Sequence, residues 1–308
     1  MTMRKLCLGL QTAASLFAFA LSGAEFNLDT NRIQQLTGLK GRLNAEEGVF
    51  KVSSPRTDVK VSVDSWQMPP FMGLTSWAAF KPGNKENAMV MGDLVLFQDE
   101  VNPAMSAALD NGLAVTALHN HFFFDDPKVY FMHIGGEGSV DQLAKAIKAA
   151  LDAARQVRAK APEPARAFGG AIPAKSSITP DSLQEIFNMR GEGNNGMLKF
   201  VIGRTAKMSC GCEVGKEMGV NTWAAFAGTD ANAVVDGDFA VLEDELQPVL
   251  KSLRKGGINI VAIHHHMTHE QPRMLFLHYW GKGKATDLAV ALRETLNAQE
   301  KVQQSASR

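Results

Sequence analysis

All eight histidines of this 308-residue chain fall in two short stretches. The first, "ALHNHFFFDDPKVYFMHIGGEG", spans 117–138 and holds His119, His121 and His133. The second, "AIHHHMTHEQPRMLFLHYWGKG", spans 262–283 and sets His264, His266 and His278 at the same offsets, with His265 and His269 added. Imidazole nitrogens ligate zinc, copper and iron. Residues two apart on a strand share a face, so His119 and His121 point the same way. A hairpin turning about residue 126 sets His133 opposite His119, within about 5 Å between Cβ atoms. Each stretch then reads as a three-imidazole tripod with an open position for water or substrate. The expected cofactor is a divalent transition metal, zinc or copper, held by His119, His121 and His133 and again by His264, His266 and His278.

Two acidic pairs accompany the histidines. Glu100 and Glu245 stand just ahead of a helix expected to open at Pro103 or Pro248. There a carboxylate could ligate a metal or act as a general base, so both are candidate catalytic residues. Helix capping is the competing reading. Asp93 and Asp238 in the two "GD" pairs read as turn residues. Gly136, Gly138, Gly281 and Gly283 read as strand ends, or as an anion cradle before a helix. In "SCGC", Cys210 and Cys212 fit a strained disulfide, a thiolate ligand pair or plain buried thiols; with Met267 they would suit a softer ion in the second half. Trp77, Trp223, Phe131 and Phe276 read as core.

The positioning elements repeat. "MGLTSWAAF" (72–80) matches "MGVNTWAAF" (218–226). "GDLVLFQDEVNPAMSAALDNGLAVTALHNH" from Gly92 matches "GDFAVLEDELQPVLKSLRKGGINIVAIHHH" from Gly237. The chain is therefore two diverged copies, a first unit over 25–157 and a second over 181–298, with a Pro/Ala/Gly-rich linker at 158–180 and a tail at 299–308. Short helices are expected at 30–39 and 181–189. Each unit ends β-α-β-β-α, with Met89–Phe97 and Leu113–His121 as strands, Lys128–Ile134 returning and Ser139–Arg155 helical. The fold class is α+β, with helices packed on a largely antiparallel sheet.

The N-terminus reads as an export signal. Met1–Lys5 carries charge, Leu6–Leu21 is mostly apolar, and Ser22-Gly23-Ala24 offers small residues for cleavage. Segment 1–24 is thus expected to be removed, leaving a periplasmic or secreted chain with no membrane span in the mature part. Basic and acidic residues number 32 each, so no basic patch for nucleic acid is expected. No phosphate loop, dinucleotide fingerprint or serine-hydrolase elbow is present.

"GDLVLFQDEVNPAM…GLAVTALHNH…DPKVYFMHIGGEG" resembles the signature of the LppY/LpqO family, exported bacterial proteins and lipoproteins of unknown function. The resemblance covers both copies. It extends to an Arg-x-Asp element, here Arg56-Thr57-Asp58; the second copy has Arg204-Thr205-Ala206 and lacks the acid. It implies export and a two-unit architecture. The functional expectation is a metal-binding exported protein, enzyme or carrier. The alternative is a non-catalytic module for peptidoglycan or another envelope glycan, with Trp66 or Trp280 exposed to hold sugar.

Overall fold

The computed structural model describes residues 28–83 and 88–306. The expected leader, Cys7 included, lies outside them. Twelve strands form one sheet: β1 (Gly41–Asn44), β2 (Val49–Pro55), β3 (Thr75–Lys81), β4 (Ala88–Phe97), β5 (Ala114–His119), β6 (Val129–Gly138), β7 (Glu192–Asn194), β8 (Met197–Gly203), β9 (Asn221–Gly228), β10 (Ala233–Leu242), β11 (Asn259–His264) and β12 (Met274–Gly283). Their order is β1-β2-β3-β4-β6-β5-β11-β12-β10-β9-β8-β7, antiparallel throughout. The order is a palindrome about the β5–β11 seam, as a duplicated unit requires. The units are two sequence repeats but share one sheet.

Among the described residues, six α-helices cover one face: α1 (Thr30–Thr37), α2 (Gln98–Asp110), α3 (Val140–Lys160), α4 (Pro180–Phe187), α5 (Glu243–Lys255) and α6 (Ala285–Ala306). α3 shows why. The Ser139 side chain caps its start by accepting from the Gln142 N–H at 3.2 Å. Asp141 in the first turn and Arg158 and Lys160 in the last suit the helix dipole. Leu143, Ile147, Ala150, Leu151 and Ala154 recur at helical spacing and are buried against the sheet. Alternation along the strands assigns the other face. Leu118 and Ile263, paired across the seam, join the helix-side core. Their neighbours His119 and His264 therefore both project from the opposite, helix-free face.

Several expected boundaries move. α2 and α5 begin at Gln98 and Glu243, leaving Pro103 and Pro248 inside their helices. The N-terminal turn forms because the Glu100 carboxylate accepts from the Phe97 N–H at 2.9 Å, and Glu245 does the same for Leu242. Gly138 and Gly283 end their strands as expected, whereas Gly136 and Gly281 lie inside β6 and β12. A Cβ at Gly281 would meet Leu288 Cδ2 at 2.8 Å, so the missing side chain lets α6 pack close. Residues 158–160 belong to α3 and 299–306 to α6, not to linker and tail. Phe131 and Phe276 are core, buried in small clusters on the helix-free face. Trp77 and Trp223 are not; each is half-buried beneath a lysine, Lys51 at 4.1 Å and Lys199 at 4.6 Å.

Candidate metal centre

Each half builds its histidine cluster on β4–β6–β5 or β10–β12–β11. The hairpin register differs by two residues from the expected one. His119 pairs with Phe131, and His133 pairs with Ala117 on one side and Asp93 on the other. A shift of two preserves the face, so the rings still gather. In the first half the His119 ring centroid lies 5.1 Å from those of His121 and His133. In the second, His264 lies 5.0 Å from His266 and 4.6 Å from His278. His121 stacks on Phe131 and His266 on Phe276, with centroids 3.3 and 3.6 Å apart. These buried phenylalanines are the floor that lays each exposed ring flat.

The ligand set that closes is not the expected tripod. Among the described residues, one group of at least three potential ligands, Asp238, His264 and His266, brings its donor atoms within 4.8 Å of one another. Asp238 Oδ2 is 3.2 Å from His266 Nε2 and 3.9 Å from His264 Nε2, and the two Nε2 atoms are 3.1 Å apart. His278 instead stacks face to face on His264. The turn reading of Asp93 and Asp238 is overturned. Both lie mid-strand, Asp238 is 1% exposed, and one carboxylate oxygen of each is buried without a hydrogen-bond partner. The signal was present in the sequence: an aspartate after a glycine within a mostly apolar strand, at the same place in both copies, with Asp236 added in the second.

Protonation makes the cluster informative. His266 Nδ1 lies 3.0 Å from the Gly219 carbonyl, which can only accept, so Nδ1 carries the hydrogen. In the neutral ring Nε2 is then a bare lone pair. It faces the Asp238 carboxylate, and a hydrogen on His264 Nε2 can satisfy only one of the converging contacts. A cation at the meeting point, or a second proton on His266, removes the conflict. Backbone orientation of the distal nitrogen is also how metal-ligating histidines are held. Burial lowers the His264 pKa; Asp238 opposes that shift, and His278, His266 and His265 reinforce it. In the first half, burial lowers His121, with His119 and His133 adding to the effect.

Glu100 and Glu245 stand apart from the histidines. Glu100 is fully buried and held by Arg56 (Nη2–Oε1 2.9 Å) and Arg158 (Nε–Oε1 2.7 Å). Glu245 receives Arg204 at 3.1 Å and Gln299 and Gln303 at 2.8 Å each. The carboxylates cap helices and neutralise buried arginines. The Arg56 element thus anchors α2, and the glutamines of α6 supply donors in the second half. Cys210 and Cys212 are free and exposed, neither buried nor bridged, with the Cys212 N–H 3.4 Å from Cys210 Sγ. His265 Nδ1 lies 3.2 Å from the Met274 carbonyl, outside the cluster.

No curated protein matches the chain. Two solved structures are distantly similar. A trimeric bacterial microcompartment shell protein, PduB, is 12% identical, covering 87% of this chain and 93% of its own, with a TM-score of 0.23. The double ringed trimeric shell protein MSM0271 from the RMM microcompartment is 10% identical, covering 70% and 82%, with a TM-score of 0.19. No helix among the described residues is long and apolar enough to cross a membrane. The family described as Domain of Unknown Function (DUF1259) matches residues 31–153 and 181–298, the two repeats, and the chain belongs to it.

Proposed function

We infer that the chain is a metal-binding protein whose second repeat holds a divalent transition ion, zinc or copper, through Asp238, His264 and His266. The observation that carries this reading is the convergence of two Nε2 atoms and one carboxylate oxygen, 3.1–3.9 Å apart. Two imidazoles and a carboxylate suit zinc, copper or iron chemistry. Three protein ligands leave a tetrahedral ion one open position, as in catalytic rather than structural zinc sites. An ion there would acidify a bound water or polarise a carbonyl. The first repeat carries the corresponding Asp93, His119, His121 and His133 in a looser arrangement and is the weaker site.

Elemental analysis of untagged protein tests this. The expected result is one tightly held zinc or copper per chain, lost in His264→Ala and Asp238→Asn. Folded protein that stays metal-free after loading with either ion would overturn the reading.

We also infer kinship with the LppY/LpqO proteins and export of the chain; the charged Met1–Lys5 and apolar Leu6–Leu21 support this. N-terminal sequencing of protein from the periplasmic fraction should find a start near Glu25. The envelope-glycan alternative draws on Trp66, 55% exposed on the helix-free side. Chelator-insensitive retention on purified cell wall, abolished by Trp66→Ala, would favour it over the metal reading.

A further inference from the structure

A cavity of about 670 Å³ opens on the helix-free face beside the metal cluster. Its floor follows from strand alternation. Asp236 lies two residues along β10 from Asp238, and His278, Trp280 and Lys282 are successive same-face residues of β12. Asp238 pairs with His278 and Asp236 with Trp280, so the cavity begins one residue pair along the sheet from the ligand group. Val261 enters it from a β-bulge in β11, between Ile260 and Ala262. The roof is the segment between the repeats, through Phe168, Gly170 and Ile172.

This roof is fastened. Lys282 Nζ donates to the carbonyls of Gly169 and Gly170 at 2.8 and 2.6 Å and lies 3.4 Å from that of Phe168. One ammonium gathers three consecutive carbonyls and arches the chain over the sheet. Phe168, Ile172 and Val261 remain 49%, 42% and 42% exposed. Together with Trp280 they form an apolar chamber in the size range of small-molecule sites. The first repeat differs at the corresponding positions. Its matching floor residues are Met91, Thr116, Gly135 and Glu137, and Glu137 lacks the ammonium that would hold a roof.

We propose that this chamber binds a small molecule with a flat apolar body and an oxygen-donor head, the body between Phe168 and Trp280 and the head toward the ion held beside His278. The reading rests on the metal site proposed above. It makes the second repeat the working half. His278, which lines the cavity and stacks on His264, is the wall shared by the chamber and the ligand cluster. An apolar body fits because the walls offer it flat rings and a branched aliphatic. An oxygen donor fits because a carboxylate or enolate can fill a position the protein leaves open.

The test uses 2-naphthoate as probe on the full chain, loaded with zinc or stripped of it, with affinity read by calorimetry and zinc content measured in parallel. Zinc-loaded protein should bind the probe about tenfold or more tightly than stripped protein, a gap of about 1.4 kcal/mol or more. Val261→Trp, which fills the chamber, should abolish binding with zinc content unchanged. Lys282→Met, which frees the roof, should weaken it. Full zinc occupancy with no probe binding, or with binding that Val261→Trp leaves intact, would overturn the chamber and spare the metal site. Failure to load zinc, with Val261-dependent probe binding retained, would sink the metal site and keep the chamber.

Discussion

Asn102 holds both backbone polar groups of Ile260: its Oδ1 accepts from the Ile260 N–H at 2.8 Å, and its Nδ2 donates to the Ile260 carbonyl at 3.2 Å. The second repeat returns the grip. Gln247 binds the Val115 N–H and carbonyl at 2.9 and 2.8 Å. Each amide projects from a helix of one repeat onto the central strand of the other, at the residue preceding its bulge. The repeats share a single paired position, Leu118 with Ile263, so these side chains replace ladder bonds the two strands do not make. Asn102→Leu should leave a buried N–H and carbonyl unpaired, at about 1–3 kcal/mol for each group. Urea unfolding should register the loss as a lower midpoint. The Asn102→Leu, Gln247→Leu pair should split the transition in two. A single transition at the wild-type midpoint would show that the amides do not couple the halves.

The phenylalanine floor should matter to the ion as well as to the core. Phe276 supports the His266 ring. Phe276→Leu keeps an apolar residue there but removes the flat surface. Zinc affinity should fall about tenfold, or about 1.4 kcal/mol, while Phe131→Leu in the first repeat leaves it unchanged. Competition with a chromophoric chelator reads both. Equal losses in the two variants would move the tight site away from the second repeat.

Glu245 should contribute a pH-dependent share of stability. Burial pushes its carboxyl up, but donors from Arg204, the Leu242 N–H, Gln303 and Gln299 more than offset this and leave its pKa below the ordinary value. A carboxyl depressed in the folded state adds stability above its unfolded pKa, about 4.3. That stability is lost as pH falls through the folded value. The gap in Tm between wild type and Glu245→Gln should therefore be widest near neutral pH and shrink toward pH values below about 4. A gap constant with pH would show that the pairing does not shift the carboxyl.

The two thiols should react unequally. Cys210 is lowered from the ordinary thiol value by hydrogen bonds from the Cys212 thiol and backbone N–H, while Cys212 is raised by its bond to Cys210. Limiting iodoacetamide near pH 7 should label Cys210 first, because the thiolate is the nucleophile. Peptide mass spectrometry gives the ratio. Cys212→Ser should slow labelling of Cys210, and equal labelling of both in the wild type would contradict the arrangement.

Much of this fold was legible in the sequence, because the duplication supplied a second copy of each signal. Strand alternation, Asn111-Gly112 at a helix end and Ser139 at a helix start are local effects. The shared face of the histidines survived an error of two residues in register for the same reason: parity alone decides it. What escaped was set by distant partners. Glu100 looked available ahead of a helix because the Pro103 signal is local, whereas Arg56 and Arg158 reach it from 44 and 58 residues away. Asp238 reads as a turn residue because aspartate is disfavoured in strands. Its neighbours His264 and His266 reach it from β11 and just beyond, past β12. The linker read as a spacer by composition, and only Lys282 shows it to be a roof.

The seam also bears on how one repeat would behave alone. Cut from its twin, the first unit would present β5 as a bare edge, with His119 at its end and the Val115 backbone unclaimed. Unsheltered strand edges invite pairing with whatever strand is nearest. A single-repeat protein of this kind would therefore be expected to associate with itself, rebuilding across two chains the junction that covalent fusion here makes permanent. Fusion frees the halves to differ, and the tethering segment, present once, breaks their equivalence by roofing only one of them.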